Sequence, residues 1–421
     1  MNLMKSFLGK KWGLGIGFLI TIFTACAGPA KPPPFDNLKS STEEKIANEK
    51  DLGERKNISS ISPKPAKLVI PREIRGIWVT RWDYKTPEDI ITIMDKISRA
   101  HLNTVIFQVR GRSDAFYRSS LEPWAEELTG TLGLDPGWDP LEIAIDAAHT
   151  RNLNIHAWIN TLTCWRGDPP PSTTDPQHIY HAHPDWLQIS RNHDLKASQN
   201  DYSFLCPANP NVKNHILKIT EELTTGYNID GLHLDYIRYA GRNFSYDTTS
   251  RYRFIAENRN GVNWADWQRS QLNSLIHDLN IRLKHIKPDL FLSAAVWGIY
   301  IDKWKWNCSE GFQNYYQDSH AWIERGDLDS ICPMIYWPIG SKPDFETLLN
   351  DFVNRSGGEN LLPGIKCDYP DPQEIIHQIE ACRRRNTLGF FLFAYSNLDE
   401  YGYWNDMTEF LDEKSAVTVG K

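Results

Sequence analysis

The segment Asp230–Tyr239 (DGLHLDYIRY) places carboxylates at its start and middle, an imidazole between them and a guanidinium near its end. In an extended chain alternate side chains share a face. Leu232 and Leu234 therefore form one apolar face, and Gly231, His233 and Asp235 form the other. If the leucines pack beneath helices, His233 and Asp235 point into the interior of the sheet. A carboxylate held there is costly unless it is paired or at work, and an ion pair with Arg238 or Arg110 is the structural alternative. His233, one layer deeper, reads as a hydrogen-bonded core histidine before a base or a metal ligand. Asp230, at the opposite end of the strand, reads as a turn or cap residue.

Further polar side chains gather where other strands end. Asp83 follows a first strand, Arg110, Arg112 and Asp114 a second, Asn160 a third, Tyr336 and Trp337 a sixth, and Lys366 and Asp368 a seventh. The chain also carries 16 Trp among 421 residues. An indole offers a flat apolar face with one polar edge, which suits stacking on sugar rings or other flat ligands. Trp158, Trp165, Trp297 and Trp337 are the platforms nearest these strand ends, although Trp158 and Trp297 could equally fill an upper core layer.

Metal and thiol chemistry have weaker support. His178, His181, His183 and His193 crowd one long polar stretch, but no HExxH or CxxC spacing accompanies them. They read as a solvated loop with some ligand contacts, so no metal and no cofactor is expected. Cys164 and Cys206 bracket that stretch and could staple it in an oxidising compartment. Cys332 and Cys382 read as buried thiols. Neither a Ser-His-Asp arrangement nor a GxSxG elbow is present.

The elements that must position these residues alternate regularly. Strands are expected at Glu73–Thr80, Thr104–Arg110, Asn154–Asn160, Asp230–Tyr239, Phe291–Gly298, Ser330–Trp337, Leu361–Cys367 and Gly389–Ser396, with helices between them. The first helix opens on Thr86-Pro87-Glu88-Asp89, a cap, a first-turn proline and two acids at the positive helix end. Such alternation predicts an α/β fold with a parallel sheet covered by helices. Eight repeats fit a closed (β/α)8 TIM barrel with an extended loop after strand three. No GxGxxG or GxxxxGK loop follows the first strand, which argues against a nucleotide-binding sheet.

Several blocks resemble the glycosyl-hydrolase-like 10 family of exported bacterial barrels. They are REIRGIWVT from Arg72, FQVRGRSDAFYRSSLEPWAEELTG from Phe107, DPGWDPLEIAIDAAHTRNLNIHAWIN from Asp135, HPDWL from His183, DGLHLDYIRY, LSAAVWG from Leu292 and PMIYW from Pro333. The resemblance covers about residues 72–400 and implies a glycan-active enzyme, with bacterial cell-wall glycan a plausible substrate. Glycoside hydrolysis ordinarily needs two carboxyl groups flanking the scissile bond. Asp235 is then the expected nucleophile or base, kept ionised by Arg238 or Arg110. The acid is sought among Asp114, Asp318 and Asp368, while Glu122 reads as a cap or salt-bridge partner. Asn160 and Tyr336 would bind sugar hydroxyls. A carbohydrate-binding lipoprotein without catalysis and a metal-dependent deacetylase or amidase remain as alternatives.

Outside the barrel, Lys5, Lys10 and Lys11 precede an apolar run, Trp12–Ala25, too short for a comfortable bilayer span. Phe23-Thr24-Ala25-Cys26 resembles a lipoprotein cleavage site. Residues 1–25 thus read as a signal peptide, Cys26 as the lipidated anchor, 26–70 as a Pro-punctuated flexible linker, 71–412 as the barrel and 413–421 as a disordered tail. The expected location is the cell envelope, on the membrane through the lipid. Loss of 1–25 removes three lysines and takes the net charge from −7 to −10. That balance excludes nucleic acid as the main partner, and no obligatory protein partner is evident.

Overall fold

The computed structural model describes residues 71–416 apart from Ser198, Gln199 and Arg259. The expected signal peptide, Cys26 and linker lie outside the described residues. Among the described residues ten strands run in chain order: β1 (Ile74–Val79), β2 (Thr104–Arg110), β3 (Asn154–Asn160), β4 (Thr163–Arg166), β5 (Tyr202–Phe204), β6 (Gly231–Asp235), β7 (Phe291–Trp297), β8 (Ser330–Met334), β9 (Gly364–Lys366) and β10 (Gly389–Phe393). Eight of them close a parallel barrel in the order β1-β10-β9-β8-β7-β6-β3-β2. This is the (β/α)8 TIM barrel expected from the strand–helix alternation.

The period of two sorts the side chains. Ile77, Val79, Val105, Phe107, Leu232 and Leu234 pack outward against helix residues such as Ile90, Ile97, Ile216 and Leu275. Ile74, Trp78, Ile106, Trp158, Phe291, Cys332 and Phe391 form a separate cluster inside the barrel. Gly231 is needed on that inner face, because a Cβ there would lie 2.6 Å from the His156 ring and 2.7 Å from the Phe291 carbonyl oxygen. The helix Pro87–Arg99 begins as read: Thr86 caps it, and Asp89 completes a capping box.

Four expectations need correction. The stretch after β3 is not loop throughout, since β4 and β5 pair there as an antiparallel hairpin. Cys164 and Cys206 do not staple it: both thiols are free and buried, and Cys206 Sγ instead lies 3.1 Å from Ser250 Oγ. Strand four ends early at Asp235, because Tyr236 turns into the left-handed region at φ 48°. The last helix, Trp404–Ala416, runs past the expected barrel end at 412.

Candidate active site

The C-terminal strand ends and the loops that follow them enclose a cleft of about 1300 Å³, open mouth included. This is the face on which (β/α)8 enzymes carry their chemistry. Asp235, Arg238, Asn160, Tyr336, Trp158, Trp297 and Trp337 all line it. The strand-end rule therefore brought seven of the expected site residues to one place.

Below the cleft, the interior is set by a polar chain. Trp78 Nε1 donates to His233 Nε2 at 3.2 Å, and His233 Nδ1 lies 2.9 Å from Ser293 Oγ. An indole can only donate, so the His233 proton sits on Nδ1 and points at Ser293. Burial lowers the His233 pKa to about 3. His233 is thus a neutral core residue.

Asp235 is the one carboxylate among the described lining residues. It is 8% exposed, and its Oδ1 accepts the Tyr236 N–H at 2.6 Å. The left-handed backbone at Tyr236 is what directs that N–H back onto the carboxylate. Burial raises the Asp235 pKa, opposed in turn by the Arg238 charge, the Tyr236 N–H and the Trp158 indole, and the net direction is upward. Trp158 Nε1 has no partner in hydrogen-bond geometry, so its influence on Asp235 is that of a nearby dipole. The expected arginine field on Asp235 comes from Arg238, and burial outweighs it.

Aromatic side chains wall the cleft. Trp297 is fixed by a 2.6 Å hydrogen bond from Nε1 to the Ser309 carbonyl and by Tyr315, whose ring centroid is 4.4 Å away. Tyr336 stacks on Phe393 at 5.4 Å. Trp82 is 43% exposed at the rim, with the Arg81 guanidinium 4.2 Å above its ring. Trp158 sits deeper, within the inner barrel cluster.

The remaining expected residues lie elsewhere. Arg110 is fully buried and holds Glu122 through two hydrogen bonds of 2.8 Å. The strand register slips between Gln108 and Arg110, so Gln108 reaches the cleft and Arg110 does not. Asp114 is buried against Arg112, whose backbone N–H donates to it at 2.7 Å. Burial works to raise its pKa, but Arg112 and Arg81 overcome that and hold it low. Asp318 accepts the Tyr300 hydroxyl at 2.8 Å, and Asp368 pairs with Lys366 at 2.9 Å. Trp165 is buried under Arg112, with Nε1 donating to the Pro169 carbonyl. None of these five residues lines the cleft.

Arg81, Trp82, Tyr202, Tyr236 and Tyr315 also line the cleft without having been singled out. Arg81 and Trp82 follow β1 directly, so the strand-end rule could have found them. Tyr202 arrives on the β4–β5 hairpin, for which the sequence carries no comparable signal. The loop histidines are engaged locally: His178 Nδ1 accepts the Tyr180 N–H, which leaves Nε2 to donate to the Arg112 carbonyl at 2.8 Å. His183 stacks on Trp186 at 3.9 Å. Among the described residues no group of three or more His, Cys, Asp or Glu is placed to hold a metal ion.

Comparison with known proteins gives a consistent picture. The model of the family described as Glycosyl hydrolase-like 10 matches residues 73–348. Glycosyl hydrolase YngK of Bacillus subtilis (strain 168) is 30% identical over 80% of this chain and 71% of its own. Glycosyl hydrolase DigH of Escherichia coli (strain K12) is 28% identical over 63% of this chain and 66% of its own. Among solved structures, the PgaB (BpsB) glycoside hydrolase domain from Bordetella bronchiseptica superposes with a TM-score of 0.61 at 13% identity, over 80% of this chain and 99% of that domain. The catalytic domain of a beta-amylase from Paenibacillus polymyxa gives 0.53 at 11%, over 78% and 94%. At those identities the two structures bear on the fold alone.

Proposed function

The chain belongs to the Glycosyl hydrolase-like 10 family, and from that premise we propose that it hydrolyses O-glycosyl bonds in a poly- or oligosaccharide, with bacterial cell-wall glycan the first substrate to test. The observation that carries this reading is Asp235, a buried carboxylate at a strand end in an aromatic-walled cleft. Burial raises its pKa, so it keeps its proton to higher pH than an ordinary aspartate. Donation to a departing glycosidic oxygen needs that property. We therefore assign Asp235 the role of general acid rather than nucleophile.

The usual scheme pairs the acid with a second carboxylate. Among the described lining residues none is available, and Asp114, Asp318 and Asp368 are committed to other partners. The attacking role then falls to water or to a substituent of the sugar itself, as in substrate-assisted glycosidases. Asn160 and Tyr336 supply polar contacts to sugar hydroxyls, and Trp82, Trp297 and Trp337 supply stacking faces.

The test is incubation of the protein with purified sacculi and a polysaccharide panel, products being read by mass spectrometry. New reducing ends from the wild type and none from Asp235→Asn support the reading. Undiminished release by Asp235→Asn overturns it, and glycan binding without any release favours a carbohydrate-binding protein. Export and anchoring through Cys26 are proposed on the sequence alone. Incorporation of labelled palmitate that persists in Cys26→Ser would remove that part.

A further inference from the structure

Four arginines are buried among the described residues: Arg81, Arg110, Arg238 and Arg269. Three have a carboxylate to answer the charge. Arg81 pairs with Glu127 at 3.3 Å, Arg110 with Glu122 at 2.8 Å, and Arg269 with Asp266. Arg238 is the exception. It is 6% exposed, its Nη1 is buried without a hydrogen-bond partner, and no described residue forms a salt bridge with it. Asp235 feels its charge but forms no ion pair with it, and a buried charge without a paired counter-ion is costly. Such a group persists where a ligand supplies the missing counter-charge or where its surroundings offset the cost.

The position of Arg238 favours a ligand. It lines the same cleft as Asp235 and Trp297. Three rings surround the guanidinium, Tyr236 at 4.3 Å, Tyr315 at 5.4 Å and Trp297 at 5.5 Å. Those rings hold its stem and plane and compensate part of the charge, but they offer no acceptor to Nη1. Trp297 is also one of the stacking faces, so a pyranose lying on it has its ring substituents beside the guanidinium. A planar cation with free N–H groups matches a carboxylate in charge and shape.

Resting on the glycan-active reading above, we propose that Arg238 forms an anion subsite that takes the carboxylate of an acidic sugar residue. The substrate class is thereby narrowed from glycans in general to glycans carrying carboxyl groups. A neutral chain would leave the guanidinium unanswered in a site closed further by substrate.

The test uses the full chain with Asp235→Asn, so that turnover does not interfere. Binding is measured to oligosaccharides offered as pairs, each in its carboxylate form and as its methyl ester: peptide-free peptidoglycan strands, oligogalacturonate and oligoglucuronate, with sulfated oligosaccharides alongside. We expect at least one carboxylate form to bind roughly tenfold or more tightly than its ester. Adding Arg238→Met should collapse that ratio to below about threefold, and Arg238→Lys should retain part of it, as a point charge without the fork. A purely structural role for Arg238 would weaken both members of a pair equally.

The proposal is overturned if no pair differs by more than about threefold, if the ratio survives Arg238→Met, or if only sulfated chains are favoured. Should the Met variant fail to fold, the parent ratio and the Lys variant decide. Cleavage of glycans by the wild type with no carboxylate preference sinks the subsite and leaves the hydrolase reading standing. Carboxylate preference without cleavage does the reverse.

Discussion

Arg110 holds Glu122 through two parallel hydrogen bonds, Nε to Oε2 and Nη2 to Oε1, both 2.8 Å long, and neither side chain reaches solvent. The pair ties the loop after β2 to the barrel, because Arg110 also donates to the Thr161 carbonyl at 3.3 Å beyond β3. It also withdraws from Asp235 a cation that the strand pattern alone would have offered it. Removing one partner of such a pair leaves a buried charge unanswered, at about 3–5 kcal/mol. Glu122→Gln is expected to lose stability of that order in urea unfolding, and a loss below about 1 kcal/mol would show that the pair is dispensable.

The same carboxylate gives the stability an acid limit. Burial pushes the Glu122 pKa upward, but Arg110 and His215 outweigh it and bring it down to about 2, against an ordinary 4.5. A depressed carboxylate stabilises the fold fully above its unfolded pKa, and that contribution drains as pH falls from about 4.5 towards 2. The amount at stake is about 3 kcal/mol. Unfolding free energies of wild type and Glu122→Gln should therefore converge across this window, and parallel curves would contradict the assignment.

Asp235→Asn keeps the shape and removes the acidic proton. We expect kcat/KM to fall by roughly 10²–10⁴-fold, with glycan affinity nearly unchanged. The thermal midpoint should not fall, because the variant no longer has a buried carboxylate with a raised pKa. Turnover at the wild-type rate in a purified, folded variant would exclude Asp235 as the acid.

The pH profile tests how that acid is tuned. An acid catalyst works while protonated, so kcat/KM should decline as pH rises through the Asp235 pKa. Arg238 lowers that pKa against the upward push of burial. Removing its charge in Arg238→Met should move the declining limb to higher pH, while Arg238→Lys should leave it close to the wild type. A declining limb that does not move in the Met variant would mean that Arg238 does not act on Asp235.

Gly298 closes β7 against the next strand. A Cβ there would sit 2.1 Å from the Met334 carbonyl oxygen, and a backbone atom cannot move aside as a side chain can. Gly298→Ala should cost roughly 1–3 kcal/mol of stability. It should also reduce activity, because Trp297 ends β7 and Tyr336 lies two residues beyond β8, the two strands being forced apart. A fully active variant with an unchanged thermal midpoint would show that the strands separate freely.

Much of the fold was legible in the linear chain. Thr104–Arg110 and Asn154–Asn160 have the boundaries read for them, since short apolar strands bounded by polar turns are local signals. The inward placement of His233 and Asp235 followed from the period of two, and the cluster at the cleft followed from which end of each strand carried polar side chains. These are properties of neighbouring residues, and they survive folding because backbone geometry enforces them.

The partner of each charge was not legible. Arg110, Asp114, Asp318 and Asp368 all stand near strand ends or loops where catalytic groups are sought, yet they are answered by Glu122, Arg112, Tyr300 and Lys366 respectively. Tyr202 reaches the cleft only because a hairpin far along the chain folds over it. Which charge is neutralised, and which is left facing a ligand, depends on segments brought together in a medium of low polarity. That choice is made by tertiary packing, since Coulomb attraction and desolvation act through space and take no account of sequence distance.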